Sequence, residues 1–406
     1  MLLAIEASHA VKTPRTGVEE ACWQMIKNLS DLGGPASGGK STLPADTRVI
    51  LYSHKMPDDK SMSVHVYGHK FNELPTNWEW KILNWPVKKL WSQFRLSYEL
   101  FKNPPDVFFA VGQLLPFFLP KKIKVITFVH DSAFEAEPNA YSLLGKIYLK
   151  LMNRRIVARS DKIITSTEFN KKELLKYYQV ASEKVVVVPL AYDANVFCMD
   201  LSSREARRRS NLSFDQQRDC CTSLAMINKP YFIYLGRLEE KKNTALLVRA
   251  FDQTRASGVD CQLVLVGKFG KLSADVRTAL VDSPYKKDII VPGYVKSEDL
   301  PGLMCGALAL VFPSRYEGFG MPILESMACG TPVIVSDIPA LREVGGSAIT
   351  YICPKIADLA LAMAQAAKDP VWRENHRLAG LERVKSYSWT KTAEILGREI
   401  AKTRLF

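Results

Sequence analysis

The stretch RYEGFGMPILESMACGTPVIVSD, residues 315–337, sets two acids, Glu317 and Glu325, eight positions apart inside an otherwise apolar passage. Gly318, Gly320 and Pro322 lie between them. LALVFPS just before the stretch and PVIVSD at its end have the apolar, β-branched character of buried strands. Between these strands, residues Met321 to Cys329 read as a short helix, with Pro322 suited to a first turn and Gly330 to a C-terminal stop. Strand, loop, helix and strand in this order are the unit of a parallel sheet with helices on its faces. Glu317 falls on the Arg315–Gly320 loop ahead of the helix, and Glu325 in the helix's first turns. Carboxylates accept strongly from hydroxyls, so two of them beside a glycine-lined gap suit a polyhydroxylated ligand. The amides of Gly318, Phe319 and Gly320, with Met321 at the helix start, add donors for an anion. A capping acid plus an unrelated surface acid is the plainer reading, and Glu325's neighbours Ile323, Leu324, Met327 and Ala328 argue against it.

Outward from this stretch the same unit repeats. YFIYLG, CQLVLVG, DIIVPG and AITYI complete one strand series, and MLLAIEA, TRVILYS, DVFFAV, KVITFVH, KIITS and KVVVVP form an earlier one. Between the series, about residues 190–228 are polar and irregular, with a basic run at Arg204–Arg209 and a Cys220–Cys221 pair, as an interdomain connection with an insertion would be. A chain of 406 residues is too long for one ordinary core. The expected fold is therefore α/β, two tandem Rossmann-like doubly wound domains of about 1–190 and 191–387. Such sheets take ligands beyond the carboxyl ends of their strands, so a deep cleft between the domains is the expected site.

Several strand ends in the second series carry chemistry. Leu235-Gly236-Arg237 is followed five residues later by Lys242, which places two cations at a strand end before a helix. Val266-Gly267-Lys268 and Pro292-Gly293-Tyr294-Val295 end the next two strands, and glycine there lets backbone approach a flat ligand such as a nucleobase. Each of these alone also reads as an ordinary basic turn or glycine turn.

Other features exclude other classes. Gly34-Pro35-Ala36-Ser37-Gly38-Gly39-Lys40-Ser41 fits a phosphate-loop pattern, yet a helix precedes it and a strand follows, the reverse of what that loop needs. The eight cysteines form no C-x-x-C, and no histidines cluster with them, which indicates neither a disulfide framework nor a zinc site and is consistent with a reducing cytosol. VFFAVGQLLPFFLP is too short and too broken by Gly112, Pro116 and Pro120 to span a bilayer, and MLLAIEASHAVK lacks the plan of a signal peptide. The net charge of +13 suits phosphate-bearing small molecules or an anionic lipid surface. Nucleic acid is disfavoured, since the basic residues follow no helix-turn-helix or aromatic-stacking pattern.

Taken together, Arg237 with Lys242 and the E-x7-E frame of Glu317 and Glu325 ahead of ACGTPVIVSD resemble the donor-binding half of family 4 retaining glycosyltransferases of the GT-B fold. Thr16-Gly17-Val18-Glu19 resembles that family's glycine loop, and Phe128-Val129-His130-Asp131 its acceptor-side His-Asp. SDKIITSTEFNKKELLKYY and EKVVVVPLAYDANVF resemble the segments closing the first domain. Ser388-Trp389 resembles the start of a final helix, about 388–406, that packs back on it. The resemblance, which is to bacterial mannosyltransferases of polysaccharide assembly, covers most of the chain.

The resemblance implies an acceptor-binding first domain and a nucleotide-sugar-binding second domain. Arg237 and Lys242 would neutralise the donor diphosphate, Glu325 would hold the ribose, and Glu317 with the Gly318–Gly320 amides would orient the sugar. Gly236 and the Gly293–Tyr294–Val295 loop would flank the nucleotide. Gly17 would let a loop close on the phosphates, and His130 with Asp131 would lie on the acceptor side. No metal and no cofactor would be required beyond the nucleotide diphosphate sugar, GDP-mannose or a UDP-sugar. The expected acceptor is a glycan or lipid-linked saccharide of lipopolysaccharide or other polysaccharide assembly. The expected place is the cytoplasm, at the inner face of the membrane. Two departures from the family are visible: Thr16, Glu19 and Glu20 where members carry a Gly-Gly pair and a basic residue, and Leu190-Ala191-Tyr192 where many carry Asn-Gly.

Alternatives are a sugar-nucleotide epimerase or other enzyme of this fold, and a non-catalytic glycan- or membrane-binding homologue. KKLWSQFRLSYELFKN, residues 88–103, reads either as an interfacial amphipathic helix or as a helix covering the first sheet, with Leu96, Leu100 and the aromatics inward.

Overall fold

Most of the strand-forming runs named above have no alternation of polar and apolar residues, which fits strands covered on both faces rather than half-exposed ones. In the computed structural model, which describes all residues except 14, 34–41, 57–73, 87–89, 139–140, 199–225, 271 and 405–406, these runs form two parallel sheets. The Gly34–Ser41 loop, the Arg204–Arg209 run, the Cys220–Cys221 pair and Lys88 and Lys89 lie outside the described residues. The chain divides into two compact units, Met1–Ala191 with Ser388–Phe406, and Tyr192–Tyr387.

In the first unit the strands are β1 (Leu2–Glu6), β2 (Arg48–Ser53), β3 (Trp78–Ile82), β4 (Val107–Ala110), β5 (Lys124–Val129), β6 (Lys162–Thr165) and β7 (Val185–Val187). Their order in the sheet is β3-β2-β1-β4-β5-β6-β7. The order reverses between β1 and β4, which makes their carboxyl ends the expected ligand crevice. β3, with the sequence WEWKI, lies at the edge of the sheet and keeps only Trp78 buried.

The segment after β3 is a turn of π-helix, Ser92–Leu96, that runs into the helix Ser97–Lys102. Leu96 and Leu100 enter the core, as the sheet-covering reading expects, whereas Phe94, Tyr98 and Phe101 are exposed. Glu99 on this helix is buried and receives Lys81 from β3 at 2.7 Å, Arg95 at 3.0 Å and the Asn103 amide at 2.9 Å. Burial opposes its ionisation, but these donors outweigh that and hold its pKa at about 2.

The helix Trp389–Thr403 follows the second unit in sequence but packs in the first, against the helix Gly17–Gly33. Trp389, Ala393, Leu396 and Ile400 form its buried stripe, and the Thr392 hydroxyl donates to the Pro189 carbonyl at 2.6 Å. Ser388 caps its start by accepting from the Lys391 amide.

In the second unit the strands are β8 (Tyr231–Leu235), β9 (Gln262–Val266), β10 (Ile289–Gly293), β11 (Ala309–Phe312), β12 (Val333–Ser336) and β13 (Thr350–Ile352), ordered β10-β9-β8-β11-β12-β13. Here the reversal falls between β8 and β11. The helix Met321–Ala328 joins β11 to β12 and is buried except at Pro322.

Candidate functional site

The loops leaving β8 and β11 meet across the reversal point of the second sheet. The Arg315 amide donates to the Lys241 carbonyl at 3.0 Å, and the Arg315 guanidinium pairs with Glu240 at 3.1 Å. Inside this clasp the Lys242 ammonium donates to the Glu317 carboxylate, over the face of Phe312 at 5.5 Å. Both side chains are largely buried, at 17% and 10% exposure, so a charge-assisted bond between them has little water to compete with it. Asn243, at φ 56°, turns the chain from the short 3-10 turn Glu240–Lys242 into the helix Thr244–Ala256. Arg237 is exposed, and its carbonyl accepts the Tyr234 hydroxyl at 2.7 Å. Burial raises the pKa of Tyr234 well above the usual phenol value, which keeps that hydroxyl a donor.

Glycines at the neighbouring strand ends form a backbone ladder. The Gly236 amide donates to the Val266 carbonyl at 3.0 Å, and the Gly267 amide to the Gly293 carbonyl at 2.8 Å. Gly267, at φ 142°, lies so close to the Gly236 carbonyl that no Cβ fits. Beyond it, Lys268 lies over the ring of Tyr294, which is 44% exposed, while Val295 is buried. The ladder thus offers a flat backbone shelf beside a cation and an exposed aromatic face.

Glu317, at 8% exposure, precedes Gly318, Phe319 and Gly320, and Gly320 at φ 90° turns the loop into the helix. Glu325 is the helix's fifth residue and is equally buried. Phe319 and Met321 are buried against the same loop, Phe319 edge-on to Tyr387 at 6.1 Å. The two acids therefore flank a turn of buried backbone rather than standing on the surface.

Gly17, His130 and Asp131 belong to the first unit. Gly17 opens its helix with nothing within 4 Å of a Cβ. Just before it, the Thr16 amide and hydroxyl both donate to Glu19, which gives this helix N-terminus its own carboxylate. His130 follows β5; its amide donates to Gln113 at 3.0 Å, and its Nε2 lies 3.0 Å from the Val111 carbonyl. Burial pushes its pKa down to about 4 despite that carbonyl, so the ring is neutral near pH 7 and Nε2 carries the proton it donates. Asp131 accepts from the Ala133 amide at 3.0 Å, at the start of the short helix Ala133–Ala136. His9 lies within electrostatic reach of His130 and, with Glu6 and Ser8 at the end of β1, makes up a polar group the sequence reading did not select. The signal available was Glu6 itself, an acid closing the apolar strand LLAIE.

Among the described residues no cluster of His, Cys, Asp or Glu has metal-site geometry, and no helix is long and apolar enough to cross a membrane.

Comparison with known proteins matches each half of the chain to a glycosyltransferase model. Residues 42–196 match "Glycosyltransferase Family 4", and residues 224–381 match "Glycosyl transferases group 1". O-antigen chain mannosyltransferase B of Escherichia coli is 29% identical over 67% of this chain and 69% of its own length. Among solved structures, Anabaena Alr3699/HepE, in complex with UDP and glucose, superposes with a TM-score of 0.71 at 14% identity, over 98% of this chain and 99% of that one. WaaG, a glycosyltransferase involved in lipopolysaccharide biosynthesis, gives 0.70 at 14% identity, over 98% and 99%. Two doubly wound units with these matches define a glycosyltransferase of the GT-B fold. Within that class the chain belongs to the family 4 glycosyltransferases and resembles the O-antigen mannosyltransferases.

Proposed function

We propose that this glycosyltransferase moves a mannosyl group from GDP-mannose to a hydroxyl of a glycan or lipid-linked saccharide, with retention of configuration and without a metal. The observation that carries the donor side is the Lys242–Glu317 pair beside the Gly236–Gly267–Gly293 shelf. In this reading the donor diphosphate takes the Lys242 ammonium from Glu317 and adds the exposed Arg237. The two cations then stabilise the charge that grows on the leaving diphosphate. Glu317, released, accepts from sugar hydroxyls together with the Gly318–Gly320 amides, and Glu325 accepts from the ribose. The base lies on the glycine shelf next to Tyr294 and Val295. His130, neutral and tethered to Val111, with Asp131, faces the acceptor. Mannose is favoured because the O-antigen relative is a mannosyltransferase by name.

The test is nucleoside diphosphate release from a panel of GDP- and UDP-sugars with a mannoside acceptor, the anomeric configuration of the product being read by NMR. Release from GDP-mannose in preference to the others, with an α-linked product, is expected. A Glu317→Ala protein as fast as the parent on every donor would remove the donor-site assignment. An isomerised nucleotide sugar appearing without acceptor would instead establish an epimerase.

The reading includes peripheral attachment to an anionic membrane. It is supported by the exposed Phe94, Tyr98 and Phe101, spaced along one helical face next to Arg95 and Lys102.

A further inference from the structure

The donor half of the site makes no use of Glu6, which closes β1 at 1% exposure where the first sheet reverses its order. One carboxylate oxygen, Oε1, is fully engaged, since the Ser8 amide donates to it at 2.9 Å and the Ser8 hydroxyl donates as well. The other, Oε2, is buried without a hydrogen bond and lies 3.7 Å from Nδ1 of His9, an atom likewise buried and unbonded. Burial by itself would raise the Glu6 pKa, and the His9 and Ser8 contacts outweigh it and hold the carboxyl below its usual range. An ionised oxygen in so dry a place requires a donor pointed at it, and Nδ1–H of His9 is the donor at hand. With Nδ1 protonated, the lone pair of the neutral ring is on Nε2.

The rest of the ring's surroundings leave Nε2 open. His9 keeps 13% of its side-chain surface, and Nε2, unlike Nδ1, is not buried and has no hydrogen bond to a described residue. The imidazole rests on Gly112, just after β4, where any Cβ would collide with Nδ1. A carboxylate behind the ring and a bare backbone beneath it thus fix its orientation. His130 is within electrostatic reach of His9, but its Nε2 is committed to the Val111 carbonyl.

We propose that Glu6 and His9 form a subsite for the acceptor saccharide, in which Nε2 of His9 accepts a hydrogen bond from a sugar hydroxyl and Glu6 sets the tautomer that makes this possible. The inference rests on the glycosyltransferase reading and adds a specificity-determining residue, His9, with Glu6 as its positioning residue.

The experiment uses GDP-mannose with octyl α-mannopyranoside as acceptor probe. His9→Phe keeps the ring and removes Nε2. We expect the acceptor KM to rise at least about tenfold with kcat within about threefold, the loss of one hydrogen bond to bound substrate. Glu6→Gln keeps an oxygen for the Ser8 donors but turns an NH2 group toward Nδ1. That reverses the tautomer, and it is expected to raise the acceptor KM similarly. Near-ultraviolet circular dichroism and the melting transition verify that the first unit of each variant is folded, since Glu6 and His9 belong to that unit and the proposed GDP site to the other. Side-chain 15N spectra of histidine-labelled parent at pH 8 are expected to show His9 protonated at Nδ1 and bare at Nε2, with the Nε2 signal moving when the probe is added. Glu6→Gln is expected to invert the two nitrogens.

A parent ring protonated at Nε2, or at both nitrogens, would overturn the proposal, as would a folded His9→Phe with parental acceptor KM. If both variants fail to fold, the parent spectra decide alone. A parent that turns over no sugar nucleotide removes the proposed function instead, and the tautomer measurement still stands.

Discussion

Lys242 and Glu317 hold each other in a place with little water, so neither can be removed without exposing the other to an unbalanced burial. Lys242→Met is expected to lower kcat for nucleoside diphosphate release by about 10²- to 10³-fold, the scale seen for one lost donor at a developing charge. The same change is expected to cost about 1–3 kcal/mol of stability, measured by denaturant titration, because Glu317 loses its charged partner. Glu325→Gln touches no diphosphate in this scheme and should act mainly on the donor KM, measured at saturating acceptor. Glu317 and Glu325 were legible in the sequence because acids that interrupt an apolar run have few structural excuses. Glu6 was not, because one acid at a strand end looks like the first residue of a surface loop. Only the fold shows that it is buried against His9.

Among elements, the strands buried on both faces were readable from composition, and all six of the second unit fall within the runs read as strands. β3 was not, since WEWKI has neither an apolar run nor clean alternation; it is held at the edge by pairing with β2 and by Lys81 reaching Glu99. That contact carries a prediction. The folded-state pKa of Glu99 is depressed, so its contribution to stability is present above the usual carboxylate range and is lost as pH falls from about 4.5 towards 2. Glu99→Gln should therefore flatten the fall in melting temperature over that acid range, while lowering stability at pH 7. The glycine shelf is less tolerant. Gly267→Ala forces a Cβ into the Gly236 carbonyl at a left-handed φ, and is expected to destabilise by about 2–4 kcal/mol, read as a lowered melting temperature that GDP no longer raises.

Across the whole molecule, apolar exposure is concentrated on the first unit. Leu144, Ile147, Tyr148 and Leu151 form an exposed stripe on the helix Leu143–Arg159, in addition to Phe94, Tyr98, Phe101, Phe117 and Phe118. Lys146, Lys150 and Arg154 accompany the stripe, and the chain carries a net charge of +13. Binding to vesicles containing an anionic lipid is expected to be strong at low salt and to fall as salt rises. Phe94→Ser with Tyr98→Ser should weaken it without altering GDP affinity, and absence of binding at low salt would end the membrane reading.

The first unit begins at Met1 yet is complete only with the helix Trp389–Thr403, whereas the second, Tyr192–Tyr387, is continuous. During synthesis the first sheet must therefore wait for roughly 200 further residues, about 10–40 s at ordinary ribosomal speeds of about 5–20 residues per second. Through that interval the helix Gly17–Gly33, which the final helix packs against, lacks that cover, and the later-made unit can finish folding first. Nascent chains arrested before Ser388 has left the ribosome should show a protease-resistant second unit beside a sensitive first one. Of the two units, the one made first is thus the last to mature, and it is the one most open to chaperones.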